Sequence, residues 1–256
     1  MLKSEIVLHP SYWASVSGGK DSLFMLKYIL SNLDRYPLDG VVHFELEIDY
    51  PFIHKVIDYM ESECKKFGIK FVRIKPIKTW SELYDKYGFP TRIARWCNDK
   101  YKLNSKKQLD SWLKDNGYFC VSYIGYCADE VNRFSKRKGN VKEIYPLVEA
   151  GFTEDVILEW ARNQPIFNDF YKINRRCGCM YCPLSSYLNF AYLYKYYPAN
   201  FSYMIEKMRE TEAKREKELG RPFSVISSNP KYNADYLEKI IKTKYLKKID
   251  EMESIQ

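Results

Sequence analysis

Residues 12–26 read YWASVSGGKDSLFML: an apolar run, then SGGKDS, then apolar residues again. The first run has the look of a strand and the second, from Lys20, of a helix, so the two glycines fall on the turn between them. Such a turn aims several backbone N–H groups at one point, with the positive end of the helix dipole behind them, and binds phosphate. Gly18 and Gly19 let the main chain approach an anion without a Cβ in the way. Lys20 adds a point charge, and the hydroxyls of Ser15, Ser17 and Ser22 can donate further hydrogen bonds. Asp21 would repel phosphate by itself, so its presence predicts a bridging Mg²⁺ held largely through water and phosphate oxygens. The stretch fits neither the G-x-x-x-x-G-K-S/T loop of Walker NTPases nor the dinucleotide G-x-G-x-x-G.

The surrounding chain repeats the alternation. A helix over 20–33 leads to a strand over 41–49, a helix with Ile53, Val56, Met60, Cys64 and Phe67 at helical spacing, and the strand-like IKFVRIKP. A helix over 105–116 and an apolar strand over 119–128 follow. Strands alternating with helices of this length predict crossover units, hence an open α/β domain with a parallel sheet covered on both faces, over 1–150. From Thr153, placed as an N-cap for EDVILEWARNQ, the chain turns helical, which predicts a lobe over 151–256 containing a cysteine-rich turn. Within it, Glu210 and Lys214 sit four apart in a segment expected to be a solvent-exposed helix.

The 256 residues suffice for one good core and a second small lobe. Forty-one Lys and Arg against 33 Asp and Glu give a net charge of +8, which suits an anionic partner as well as a merely soluble basic surface. The basic stretches FSKRKGNVK at 134–142 and IIKTKYLKKID at 240–250, with 23 tyrosines, make nucleic acid a plausible partner through phosphate contacts and base stacking. The start MLKSEIVLHP lacks a secretory apolar region, and no apolar run approaches the roughly 20 residues of a membrane span, so a cytoplasmic protein without membrane contact is expected. The oligomeric state stays open, a homo-oligomer included.

Seven cysteines in such a chain read as thiols or metal ligands rather than disulfides. Cys177, Cys179 and Cys182 form C-x-C-x-x-C, and Cys97 can be the fourth member if the segments meet. Four thiolates suit either Zn²⁺ or an iron-sulfur cluster. Two other readings stay open: Cys97 as a small core residue, and Cys179 with Cys182 as a redox pair that shuttles persulfide. Cys64 and Cys120 are expected to pack, and Cys127 falls beside the predicted phosphate end of a strand. Asp129 and Glu130 lie just past a strand end, where open α/β sheets bind ligands. They can orient Mg²⁺ or a ribose, and Arg133 can neutralise phosphate. The three histidines, His9, His43 and His54, form no catalytic spacing.

SGGKDS resembles the PP-loop of the ATP pyrophosphatase superfamily, which cleaves ATP between the α and β phosphates and transfers AMP to an acceptor. Four further segments resemble the phosphoadenylylsulfate (PAPS) reductase branch: LEIDYPFIHK with its aspartate-containing turn, GFPTRIARWCNDKYK, IGYCADEVNR and RRCGCMYCP. The resemblance implies an adenine nucleotide alpha hydrolase-like, Rossmann-like fold with five parallel strands. It further implies ATP·Mg²⁺ bound across the strand ends, with Lys20 and Asp21 at the phosphates and Asp49 and Gly125 among the nucleotide contacts. It favours a 4Fe-4S cluster over Zn²⁺ on the four cysteines, either holding a sulfide or stapling the lobe. Cys127 stands where the family carries an arginine, and no cysteine follows Cys182, whereas the reductases resemble one another in a later E-C-G-L-H. The expectation is therefore sulfur insertion, as in DNA phosphorothioation or tRNA thiolation: an oxygen is adenylated and sulfur from a donor such as a cysteine desulfurase displaces AMP. A sulfonucleotide reductase and a nucleotide-binding subunit of a larger assembly are the alternatives.

Overall fold

The computed structural model describes residues 8–134 and 142–254, with the side chains of Arg133 and Phe134 outside that description. The basic stretch at 134–142 therefore falls largely outside the described residues. Two compact units emerge: Met1–Leu46, Pro51–Pro76 and Leu103–Asn168 form the first, and Glu47–Tyr50, Ile77–Lys102 and Asp169–Gln256 the second. The second thus takes in two segments that precede residue 150.

The first unit is an α/β fold with an open sheet of five parallel strands in the order β3-β2-β1-β4-β5. The strands are β1 (His9–Val16), β2 (Gly40–Phe44), β3 (Lys70–Ile74), β4 (Tyr118–Tyr123) and β5 (Glu143–Ile144). Helices α1 (Lys20–Leu30) and α2 (Pro51–Lys66) connect β1 to β2 and β2 to β3, while α4 (Leu103–Asp115) precedes β4. Strand order runs one way from β1 through α1 and α2 and the other way after α4. Right-handed crossovers therefore put α1 and α2 on one face and α4 on the opposite one. On the α4 face, Trp13, Val42 and Cys120 pack with Leu109 and Leu113. On α1, Leu23, Met25, Leu26 and Ile29 are buried, and on α2 so are Ile53, Val56, Met60 and Cys64.

Strand β2 is shorter than its expected 41–49, because the carboxylates of Glu45, Glu47 and Asp49 cannot occupy a strand buried on both faces. Edge strand β3 carries Lys70 and Arg73, and Arg73 is clamped by Asp58 at 2.7 Å and by Glu61. A charged edge of this kind resists pairing with a further strand.

The second unit is mostly helical. Helix α3 (Trp80–Tyr87) starts with a capping box between Thr79 and Glu82, and α9 (Tyr187–Tyr196) with one between Ser186 and Asn189. Helix α10 (Pro198–Leu219) ends at Gly220, in the left-handed conformation at φ 64°. Its charged segment is largely exposed and paired, as expected, with Glu210 on Lys207 at 2.7 Å and Arg215 on Glu218 at 2.9 Å; Glu210 also accepts from the Tyr84 hydroxyl, and Thr211 and Glu212 depart from expectation in being buried. Glu212 accepts from the backbone N–H groups of Val225 (3.1 Å) and Ala234 (3.0 Å) and so fixes the loop before α11 (Ala234–Ile240). Trp80 stands amid Phe89, Trp96, Tyr101 and Tyr181. Among the described residues no helix is long and apolar enough to cross a membrane.

The register sets Gly40 against Trp13. A Cβ at Gly40 would meet the Trp13 ring at 2.6, 2.7 and 2.9 Å. Gly40→Ala is expected to lower unfolding stability in urea by about 1–3 kcal/mol through overpacking. Adding Trp13→Leu should then cost less than the two single losses summed; simple additivity would contradict the contact.

Candidate functional site

In the first unit the SGGKDS segment is the turn from β1 into α1, as read from sequence. Gly18 sits at φ 76°, and a Cβ there would also stand 2.6 Å from Ile53 Cγ2. No other residue type fits both demands. Gly19 is the N-cap of α1 with no side-chain cap. The two serines organise the turn from inside: Ser22 Oγ donates to Gly19 O at 2.9 Å and accepts from Ser17 N at 3.2 Å. Ser15 lies within β1 opposite Val42, half-buried.

The Lys20 side chain is 1% exposed, with its Nζ 2.6 Å from Asp21 Oδ1 and 3.8 Å from Glu154 Oε1. A buried ammonium requires such counter-charges. Glu154 escaped the sequence reading; its signal was its place as the first residue of α7 (Glu154–Arg162), directly after Thr153. Thr153 is the N-cap by position but forms no side-chain cap. Asp129 supplies it instead, accepting from Glu154 N at 3.0 Å. Asp129 thus positions Glu154, and Glu130 accepts from Cys127 N at 3.2 Å.

The chain after β4 passes close over α1: a Cβ on Gly125 would stand 3.1 Å from the Asp21 carbonyl oxygen. Two residues on, Cys127 is 1% exposed and its thiol donates to Asp21 Oδ1 at 3.4 Å. Burial, then the Asp21 charge, push that thiol well up, so it stays protonated. The turn, Cys127 and Glu154 therefore come together where the strand order reverses between β1 and β4, the ligand crevice of open α/β sheets.

Asp49 belongs to the second unit, beside Tyr101, Lys102, Cys177 and Cys179. Cys97 opens a π-helical turn, Cys97–Lys102, that ends on Lys102. The Lys102 ammonium is raised first by coulombic attraction to Cys179, which shares one negative charge with Cys182, against burial, and then by Asp49, Cys182 and Cys97. Cys177 in turn feels Lys102, so all four cysteines lie within electrostatic reach of one cation. Lys102 lay in the quoted GFPTRIARWCNDKYK but carried no assignment, because nothing local marks it as facing thiols. Cys182 accepts the Cys179 S–H, and this bond, ahead of the Leu184 N–H and the Lys102 and Arg95 charges, brings it down to about 6 despite burial. Burial pushes Cys97 and Cys177 up. The donor set matches a thiolate-bound metal, yet among the described residues no three His, Cys, Asp or Glu side chains converge closely enough to hold an ion as placed. Cys64 and Cys120 are packing residues, 0% and 8% exposed.

In the metal-free protein Cys182 is expected to react with iodoacetamide with a midpoint near pH 6, against about 8.5 for a free thiol. Its folded value is depressed, so its share of stability is complete above the unfolded thiol range and lost as pH falls through about 6. Site-resolved mass spectrometry across pH checks this, and Lys102→Met should move the midpoint up. Equal reactivity of Cys179 and Cys182 above pH 8 would contradict the assignment of the thiolate.

No family model matches the chain. Two uncharacterized proteins of Methanocaldococcus jannaschii are similar to it: one at 25% identity over 205 residues, 76% of this chain and 47% of the relative, the other at 27% over 179 residues, 65% and 35%. The chain thus spans half or less of the curated relatives it matches. Among solved structures, the U34-tRNA thiolase NcsA from Methanococcus maripaludis, with its 4Fe-4S cluster, aligns with a TM-score of 0.42 and 17% identity, covering 82% of this chain and 75% of that one.

Proposed function

We propose that the chain is an ATP pyrophosphatase of the PP-loop type, which cleaves ATP to AMP and pyrophosphate to adenylate an acceptor for sulfur insertion. The observation that carries this reading is the SGGKDS turn at the sheet's switch point, with Gly18 left-handed and the Lys20 charge buried against Asp21 and Glu154. A turn of this build suits the pyrophosphate end of a nucleotide.

In the proposed reaction the turn at 17–22 holds the β and γ phosphates and Lys20 neutralises them. Asp21 and Glu154 are the carboxylates that would hold Mg²⁺ through its water shell; bound there, the ion would neutralise phosphate charge. An acceptor oxygen attacks the α-phosphorus, the bond to the β-phosphate oxygen breaks, and pyrophosphate leaves with that electron pair. Positioning and charge neutralisation supply most of this step. A sulfur donor such as a persulfide then attacks the adenylated carbon or phosphorus through its outer sulfur, the bond to the adenylate oxygen breaks and AMP departs; a second thiol then attacks the carrier sulfur, forming a disulfide with the carrier and releasing the thiolated acceptor. Nucleic acid, DNA or tRNA, is the acceptor class that the net charge of +8 and the 23 tyrosines favour. Cys97, Cys177, Cys179 and Cys182 would hold a 4Fe-4S cluster, or Zn²⁺, beside Lys102. With all four thiolates as ligands such a group would be closed and would staple these segments together; it would supply a place to hold sulfide for transfer if one of the four cysteines left an iron open.

Incubation with ATP and Mg²⁺ should yield AMP and pyrophosphate in equal amounts, and Lys20→Met should lower that rate by about 10²-fold or more. ADP and phosphate as main products would overturn the proposal. Protein prepared without oxygen should be coloured and contain iron and acid-labile sulfide; a colourless protein with stoichiometric zinc would remove the iron-sulfur part alone.

A further inference from the structure

Two grooves within the second unit share Arg92. The larger, about 590 Å³, runs between residues 91–93 and the loop 221–230 and is lined by Arg221, Phe223, Ser227 and Ser228 as well. The smaller, about 430 Å³, is lined by Arg92 with Ser185, Tyr187 and Tyr245. Among the described residues no carboxylate lines either one. Their walls are fixed from behind. Arg92 N donates to Val225 O at 3.3 Å, and the buried Glu212 carboxylate holds Val225 and Ala234. Ser224 Oγ ties the loop to Tyr232 O at 2.7 Å. A loop without regular structure that is anchored this thoroughly is preorganised, which lowers the ordering cost of binding.

The two arginines differ from others on the surface. Arg35, Arg73, Arg162, Arg209 and Arg215 all reach a carboxylate, whereas Arg92 and Arg221, like Arg95 outside the two grooves' linings, are exposed and make no ion pair among the described residues. Uncompensated cations in a carboxylate-free groove select a polyanion. The tyrosines narrow the choice. Tyr187 and Tyr245 lie with ring centroids 5.0 Å apart at 34°, half-buried at the wall of the smaller groove. Flat faces beside cations and hydroxyls match unstacked bases on a phosphate backbone; a duplex keeps its base faces hidden, and an acidic peptide has no use for stacking faces.

We propose that the paired grooves around Arg92 bind single-stranded nucleic acid, with Arg92 and Arg221 on phosphates and Tyr187 and Tyr245 as the stacking surface. The inference deepens the proposed acceptor class and rests on that reading for why a strand would be held; the groove's chemistry is independent of ATP.

Fluorescence anisotropy of the full chain, without nucleotide or Mg²⁺, tests it with labelled oligouridine and oligothymidine of about 12 nucleotides, within the span of single-strand sites. Binding of either is expected, and the stronger partner tells RNA from DNA. Arg92→Ala with Arg221→Ala should weaken it at least ten-fold and reduce the salt slope by about 1.4, at about 0.7 per lost phosphate contact. Tyr245→Ala should weaken it about ten-fold while leaving that slope unchanged. Lys55→Ala with Lys65→Ala removes equal charge from α2 and should have little effect. The proposal is overturned by absent binding, by unchanged affinity in the arginine double variant, by an equal loss in the lysine control, or by equally tight polyglutamate. Absent binding with intact AMP formation would remove the groove and leave the enzyme reading standing; binding without AMP formation would do the reverse.

Discussion

The first unit is organised around one constraint, the burial of a positive charge. An isolated lysine ammonium taken out of water costs several kcal/mol, so Lys20 can be 1% exposed only because carboxylates stand against it. Asp21 comes with the helix; Glu154 must be brought from 134 residues away. The means are visible in turn: Asp129 caps α7, the cap fixes Glu154, and Glu154 faces Lys20. Gly125 lets the strand-end segment lie on the backbone of α1, which sets the Cys127 thiol on Asp21 Oδ1, the same oxygen that Lys20 contacts. Residues that look like separate acidic and thiol features are one electrostatic arrangement. Cys127 is a neutral donor where the resembled family carries an arginine, so among the described residues Lys20 is the cation that meets Asp21.

How much of this was legible follows from which interactions are local. The turn at 17–22 and the alternation of strands and helices were readable because glycine conformation and hydrophobic period act within a few residues. The helix start after Thr153 was readable too, but its cap was not. A threonine before EDVILEW is the local candidate, and only the tertiary fold supplies Asp129 in its place. The same holds for Asp49. Sequence order puts it after β2, next to the nucleotide end of the sheet, yet it is grouped with Lys102 and the cysteines. The charged helix around Glu210 read as solvent-facing because charge is a surface signal on average; Glu212 is the exception, a carboxylate retained inside by two backbone donors.

The cysteine cluster shows a complementary balance. Four thiols within electrostatic reach of one ammonium give mutual stabilisation of negative charge without any ion, and the Cys179 to Cys182 hydrogen bond concentrates that charge on one sulfur. Tyr50, buried beside Cys177 and Cys179 with its hydroxyl held protonated chiefly by burial, closes another side. The surroundings are thus polar where sulfur is and aromatic elsewhere, through Phe170, Tyr192 and Tyr197 around Tyr50.

The interleaving of the two units has a kinetic consequence. The second unit draws on Glu47–Tyr50, Ile77–Lys102 and Asp169–Gln256, so its early pieces leave the ribosome well before the helices they pack against. The first unit, by contrast, holds all five strands by residue 144. Vectorial synthesis would therefore let the sheet assemble first while the Cys97 and Trp80 segments wait as unsatisfied loops, aromatic and carrying one thiol, until the last third of the chain arrives. That interval is when such a polypeptide is most exposed to oxidation and to chaperone capture.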